Sequence, residues 1–82
     1  MKVNYSKTSL KQLKNLPKTT QVEVLKKIEK LKYNPDAGKK LKGPLKNFRS
    51  LKVWPYRIIY QYSDSDKVIL INVIQHRQSI YK

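Results

Sequence analysis

The spacing of apolar residues changes along this chain, and each change marks an element. Residues 2–5, KVNY, are short enough for one brief strand. From Ser6 onward Leu10, Leu13 and Leu16 recur at three-residue spacing, which sets them along one helical stripe, with Ser6 as its N-cap. Pro17 ends that helix or opens the next. In the second segment Val22, Val24, Leu25, Ile28 and Leu31 form an apolar stripe, and Lys26, Lys27, Lys30 and Lys32 take much of the remainder. Thr20 and Glu23 have capping-box spacing, and Pro17 at the first helical position is the alternative start. The helix stops at Asn34, because a proline disfavours helical geometry in the residue before it.

Residues 34–47 read as a basic loop. Beyond them the composition turns to β-branched and aromatic residues in FRSLKV, YRIIYQY and KVILINVIQ. Trp54-Pro55 separates the first two runs and SDSD the last two, so both joints read as hairpins. The expected fold is α+β, in the order β-α-α-β-β-β, with a two-helix hairpin packed on one face of a small antiparallel sheet. Residues 1–82 are expected to form a single domain, with no internal repeat.

Charge adds a function class. Nineteen Lys and Arg against five acids give +14, a balance that suits a polyanionic or acidic partner. Between residues 37 and 63 the bases Lys39, Lys40, Lys42, Lys46, Arg49, Lys52 and Arg57 occur with no acid among them, as a phosphate-binding patch requires. With no cysteine and one histidine, a zinc cage of the usual kind is excluded. The carboxylates Glu23, Glu29, Asp36, Asp64 and Asp66 are not spaced to cluster around magnesium, and no glycine-rich phosphate loop is present. Neither metal nor cofactor is expected. The N-terminal segment lacks the apolar stretch of a signal peptide, and no run approaches the length of a membrane span, so a soluble cytoplasmic protein is expected.

Strand alternation then groups the candidate chemistry. Tyr56, Ile58, Tyr60 and Tyr62 share one face of their strand, and Arg57, Ile59 and Gln61 the other. In the last strand a regular pleat puts Arg77 in phase with Ile69, Ile71, Val73 and Gln75. The same pleat puts His76 in phase with Val68, Leu70, Asn72 and Ile74. Arg57 and Arg77 fall at the same end of a hairpin, with Lys52 or Arg49 from the preceding strand nearby; register decides whether they share a face. Two such arginines repel unless an anion lies between them. Without a metal, this set suits attack by an RNA 2′-OH on the adjacent phosphate, with cations stabilising the phosphoryl oxygens. A base and an acid must also lie within reach.

In order and spacing, the leucine–glycine segment at residues 41–43, the basic strand at 49–52, YRIIY at 56–60, the acidic turn at 64–66 and HRQSIY at 76–81 resemble the RelE/ParE toxin superfamily. The resemblance implies a toxin of a type II toxin–antitoxin system with RelE-type activity: ribosome-dependent, metal-independent cleavage of mRNA in the A site, which inhibits translation. It implies a cognate antitoxin whose acidic or amphipathic segment wraps the toxin, alongside ribosome and mRNA as partners. Carried over by position, Arg57 is a phosphate and transition-state contact, and Arg77 stabilises phosphate or leaving group. Tyr81 acts in base stacking or proton transfer, and Lys52 is a basic residue of the catalytic strand. Lys46, Arg49 and His76 are assigned to substrate binding. The chain departs from the pattern at Ser50, where a second base is usual, and at Trp54-Pro55, which replaces a glycine-containing turn. It also ends at Lys82, without a helix after the tyrosine. The alternatives are a ParE-like inhibitor that binds DNA gyrase, or a relative that binds nucleic acid without cutting it.

Overall fold

The computed structural model describes residues 1–77. Strand β1 (Lys2–Tyr5) leads into helices α1 (Lys7–Lys14) and α2 (Lys18–Leu31). After single helical turns at Pro35–Ala37 and Gly43–Leu45, with the two-residue strand β2 (Lys39–Lys40) between them, come β3 (Arg49–Val53), β4 (Tyr56–Ser63) and β5 (Val68–His76). The sheet order is β1-β5-β4-β3-β2. The two hairpins, β3–β4 and β4–β5, are antiparallel, as expected, and β2 also pairs antiparallel with β3, whereas β1 runs parallel to β5 at the edge and makes the sheet mixed. Strand β2 was not foreseen in the basic loop: it is too short for composition to signal, and exists because β3 offers it an edge.

Both helices cover one face of the sheet. Leu13 from α1 and Val24, Ile28 and Leu31 from α2 pack on Val53, Ile58, Tyr60, Ile69, Ile71 and Ile74. Each fully buried aliphatic side chain here contributes about 1.5–3 kcal/mol relative to exposure. The expected helical stripes are wider than the buried ones. Leu10, Val22 and Leu25 stay 41–49% exposed.

Ser6 caps α1 as expected, its Oγ accepting the Ser9 N–H at 3.0 Å. For α2 the Thr20–Glu23 capping box is not formed: Pro17 stands at the N-cap, Lys18 begins the helix and no side chain caps it. The Gln21 amide turns back instead, donating to the Lys14 and Leu16 carbonyls at 3.1 Å each and so closing the end of α1.

A bulge in β5 overturns the regular pleat assumed for that strand. Ile59 pairs with Val73 but Tyr60 pairs with Ile71, which leaves Asn72 without a counterpart. The inserted residue reverses the alternation. Ile69 and Ile71 therefore face the helices together with Ile74 and His76, and the strand ends at His76, so Arg77 has no place in its alternation. Side chains of α1 take up the backbone groups that the bulge releases. Ser6 Oγ donates to the Asn72 carbonyl at 2.7 Å, Ser9 Oγ to the Ile71 carbonyl at 2.8 Å, and Gln12 Oε1 accepts the Ile74 N–H at 2.7 Å.

Candidate nucleic-acid interface

The sheet face away from the helices is where the register gathers charge. Lys52 of β3 pairs with Arg57 of β4, and Arg57 pairs in turn with Gln75 of β5. Paired residues on adjacent strands project from the same face, so these three side chains form one row across the sheet. Lys52 is exposed, and Arg57 and Gln75 are half-buried. One rung below, Ser50, Ile59 and Val73 continue the same face. With Leu41 and Leu45 they line a groove of about 330 Å³ that has Arg57 and Gln75 on its wall. A charged row above an apolar floor can hold a phosphate at its upper edge and an apolar ring or side chain below.

Arg77 follows the end of β5 and lies against the β3–β4 joint. Its backbone N–H donates to the Pro55 carbonyl at 2.7 Å, and its guanidinium lies 4.7 Å from the centroid of the Trp54 ring. Arg57 and Arg77 thus share one end of the hairpin, as the order of residues suggested. Trp54 precedes a cis peptide bond to Pro55 and is 62% exposed. Trp54, expected as a strand separator and a departure from the usual glycine turn, and Gln75, expected only in phase with its strand, are the residues here that the sequence did not single out. The signal for Gln75 was its two-residue spacing from Val73 within β5.

The other assigned residues lie elsewhere. Arg49 pairs with Tyr60, on the helix side of the sheet, so it does not join Lys52. Its guanidinium donates to the Gly38 carbonyl at 2.9 Å and forms an ion pair with Asp36 at 3.1 Å, which pins the loop before β2. No bulge in β3 turns Arg49 to the other face, because the pairing of β3 with β4 is continuous. Lys46 and Arg49 border a separate depression with Lys40, Asn47 and Gln61. Gln61 stands four residues along β4 from Arg57, about 13 Å at strand rise. His76 pairs with Tyr56, and the two rings meet edge to face with centroids 5.2 Å apart, on the helix side of the sheet end. Tyr81 lies outside the described residues.

Beneath the row, a second tyrosine holds the loop that carries β2. Tyr60 is fully buried; its hydroxyl donates to the Pro35 carbonyl at 2.6 Å and accepts the Gly38 N–H at 2.9 Å. Burial raises the Tyr60 phenol above its ordinary value. Tyr62 donates to Asp36, and that hydrogen bond holds its phenol above the ordinary value as well. Among the described residues, no three His, Asp or Glu side chains gather as metal ligands, and no helix is long and apolar enough to cross a membrane.

A family model for the ParE toxin of type II toxin-antitoxin system, parDE, matches residues 3–81. No curated protein sequence matches. Among solved structures, the RelBE2 toxin–antitoxin complex from Mycobacterium tuberculosis contains a chain 26% identical, with a TM-score of 0.84 over 93% of this chain and 96% of that one. The archaeal RelE–RelB complex from Pyrococcus horikoshii OT3 gives 29% identity and a TM-score of 0.76, covering 93% of each chain. The isolated RelE toxin of Escherichia coli, at 21% identity, shares the fold with a TM-score of 0.79 over 98% of this chain and 95% of that one.

Proposed function

This chain belongs to the ParE toxin family of type II toxin–antitoxin systems, within the RelE/ParE superfamily, and from that premise we propose that it acts as a ribosome-dependent endoribonuclease on mRNA in the A site. The observation that carries the reading is the Lys52–Arg57–Gln75 row, which concentrates cationic and amide donors on the open face of a chain carrying +14. A protein that worked by docking alone would need no such row.

In the reaction the 2′-OH of one nucleotide loses its proton and its oxygen attacks the adjacent phosphorus. The bond from phosphorus to the 5′-oxygen breaks, and that oxygen takes up a proton. The products are a 2′,3′-cyclic phosphate and a 5′-OH. Negative charge grows on the non-bridging oxygens, where the Arg57 guanidinium can donate two parallel hydrogen bonds and Lys52 a third. Gln75 contributes an uncharged donor beside them, and Arg77, at the same end of the hairpin, is the proposed contact to the phosphate or the departing oxygen. The ribosome supplies alignment of the strand, which lets so spare a site suffice. A cognate antitoxin is the protein partner: structural relatives of this chain include toxins in complex with RelB antitoxins.

The test uses ribosomes stalled on a defined mRNA with an empty A site, with the mRNA 5′ ends mapped by primer extension. A new end inside the A-site codon is expected with the wild type. With Arg57→Ala it should fall by about 10²–10³-fold, the range for losing one transition-state donor. A second reading, binding and inhibition of DNA gyrase, draws on the ParE family match and on the apolar floor formed by Leu41, Leu45, Ile59 and Val73. If the protein arrests growth without cutting mRNA, and the purified toxin blocks supercoiling by gyrase, that reading replaces the first.

A further inference from the structure

We propose that Trp54 is a stacking platform for an unpaired RNA base and, through its contact with Arg77, a positioning residue for that guanidinium; the inference deepens the endoribonuclease reading and rests on it. Trp54 is the chain's only tryptophan, yet 62% of it is exposed and it takes no part in the core cluster. Its position has a chemical context that the more exposed Tyr33 lacks. Lys52, the residue before buried Val53, projects from the open side of β3, and Trp54 follows Val53 directly, exposed in the turn to β4. Trp54 stands two residues after Lys52, a reach of at most about 7 Å along the chain, which a single nucleotide bridges between its base and its phosphate. A base lying on the indole would therefore set its phosphate against Lys52 and Arg57.

The Arg77 guanidinium, 4.7 Å from the ring centroid, occupies one side of the indole as a delocalised cation. The hydrogen bond from the Arg77 backbone to Pro55 fixes both partners to the same joint. The exposed remainder of the ring is apolar, rigid and flat, as sequence-tolerant stacking on single-stranded RNA requires. Placing this surface beside a row of phosphate-binding donors gives the two halves of single-strand recognition, stacking and backbone neutralisation, on one edge of the sheet.

Because Trp54 is alone, its fluorescence reports on this position directly. The probe is a short 2′-O-methyl oligoribonucleotide, which cannot be cut, and the control is an abasic strand of equal length and charge. The base-bearing strand should quench Trp54 emission and the abasic strand should not. By anisotropy, Trp54→Ala should weaken binding of the base-bearing strand about five- to hundredfold, the span of one lost stack, while Trp54→Phe retains most of the affinity. The salt dependence should be unchanged in Trp54→Ala but shallower by about one in Lys52→Ala, since only lysine releases a counterion. Equal quenching by both strands, or a Trp54→Ala protein that binds and cuts like the wild type, overturns the stacking role while A-site cutting by the wild type keeps the endoribonuclease reading. A wild type that neither binds the oligonucleotide nor cuts mRNA on the ribosome overturns both.

Discussion

Replacing Tyr60 by phenylalanine removes a single oxygen and tests what holds the loop that carries β2. The ring is fully buried and the substitution leaves it in place, so the change in stability reads the hydroxyl alone. That hydroxyl accepts the buried Gly38 N–H at 2.9 Å and donates to the Pro35 carbonyl at 2.6 Å. Pro35 is partly exposed, and its carbonyl can recover a partner from water. Gly38 is buried and cannot, so its N–H is stranded. A stranded donor costs about 1–3 kcal/mol, which places the expected loss near 2 kcal/mol. For a chain of this size that corresponds to a melting temperature lower by about 8–16 °C. Urea denaturation and thermal melts of Tyr60→Phe measure it, and RNA cleavage per folded molecule should be retained, because Lys52 and Arg57 lie on the opposite face. Gly38→Ala should cost more, since its Cβ would lie 2.7 Å from the Tyr60 ring and hydroxyl and 3.1 Å from the Ser50 carbonyl oxygen. A loss below about 0.5 kcal/mol in Tyr60→Phe, no more than an ordinary surface change, would refute the reasoning.

Arg49 and Arg57 should separate stability from activity. Arg49→Ala removes the links to Asp36 and Gly38 and should lower the urea midpoint while sparing cleavage per folded molecule; Arg57→Ala should do the reverse, and interchange of the two results would place the active row on the wrong face. Ser6→Ala removes both the cap of α1 and the bond to the Asn72 carbonyl, and should cost at least the ~1 kcal/mol of an N-cap. Hydrogen exchange at the Ser9 amide measures it, and unchanged protection there counts against the tie between α1 and the bulge. At alkaline pH the raised Tyr60 phenol sets a sign. Below its ordinary value of 10.0 it is protonated in folded and unfolded chains alike, and its contribution to stability is whole. As pH rises past that value the unfolded chain ionises first, and the contribution is lost through the higher folded-state value. The wild type should therefore lose stability above pH 10.0 more steeply than Tyr60→Phe, and parallel pH profiles would remove the argument.

Much of the architecture was legible because it depends on local period and local stops. Three-residue spacing marked α1, and the Val24, Ile28 and Leu31 stripe marked α2, which ends at Leu31, three residues before the expected stop at Asn34. The hairpin joints at Trp54-Pro55 and at residues 64–67 follow from where apolar β runs break off. Of the candidate site, Lys52 and Arg57 were legible for the same reason: two strands joined by a tight turn must pair their near ends. The placement of Arg77 at that end followed as well, since an antiparallel partner returns to where it began.

Face and partnership beyond the hairpins were not legible. Nothing local in INVIQ announces that Asn72 is an extra residue, because the side chains that satisfy the bulge, Ser6, Ser9 and Gln12, lie more than sixty positions earlier. Without the bulge, Ile69 and Ile71 would turn away from the helices. Arg49 reads as one more base in a basic run until the register sets it opposite Tyr60 and within reach of Gly38. Local spacing along the chain therefore settled the elements and the ends of the hairpins. Long-range packing chose the face of each side chain, because a strand offers two faces and only a partner distant in sequence makes one of them the core.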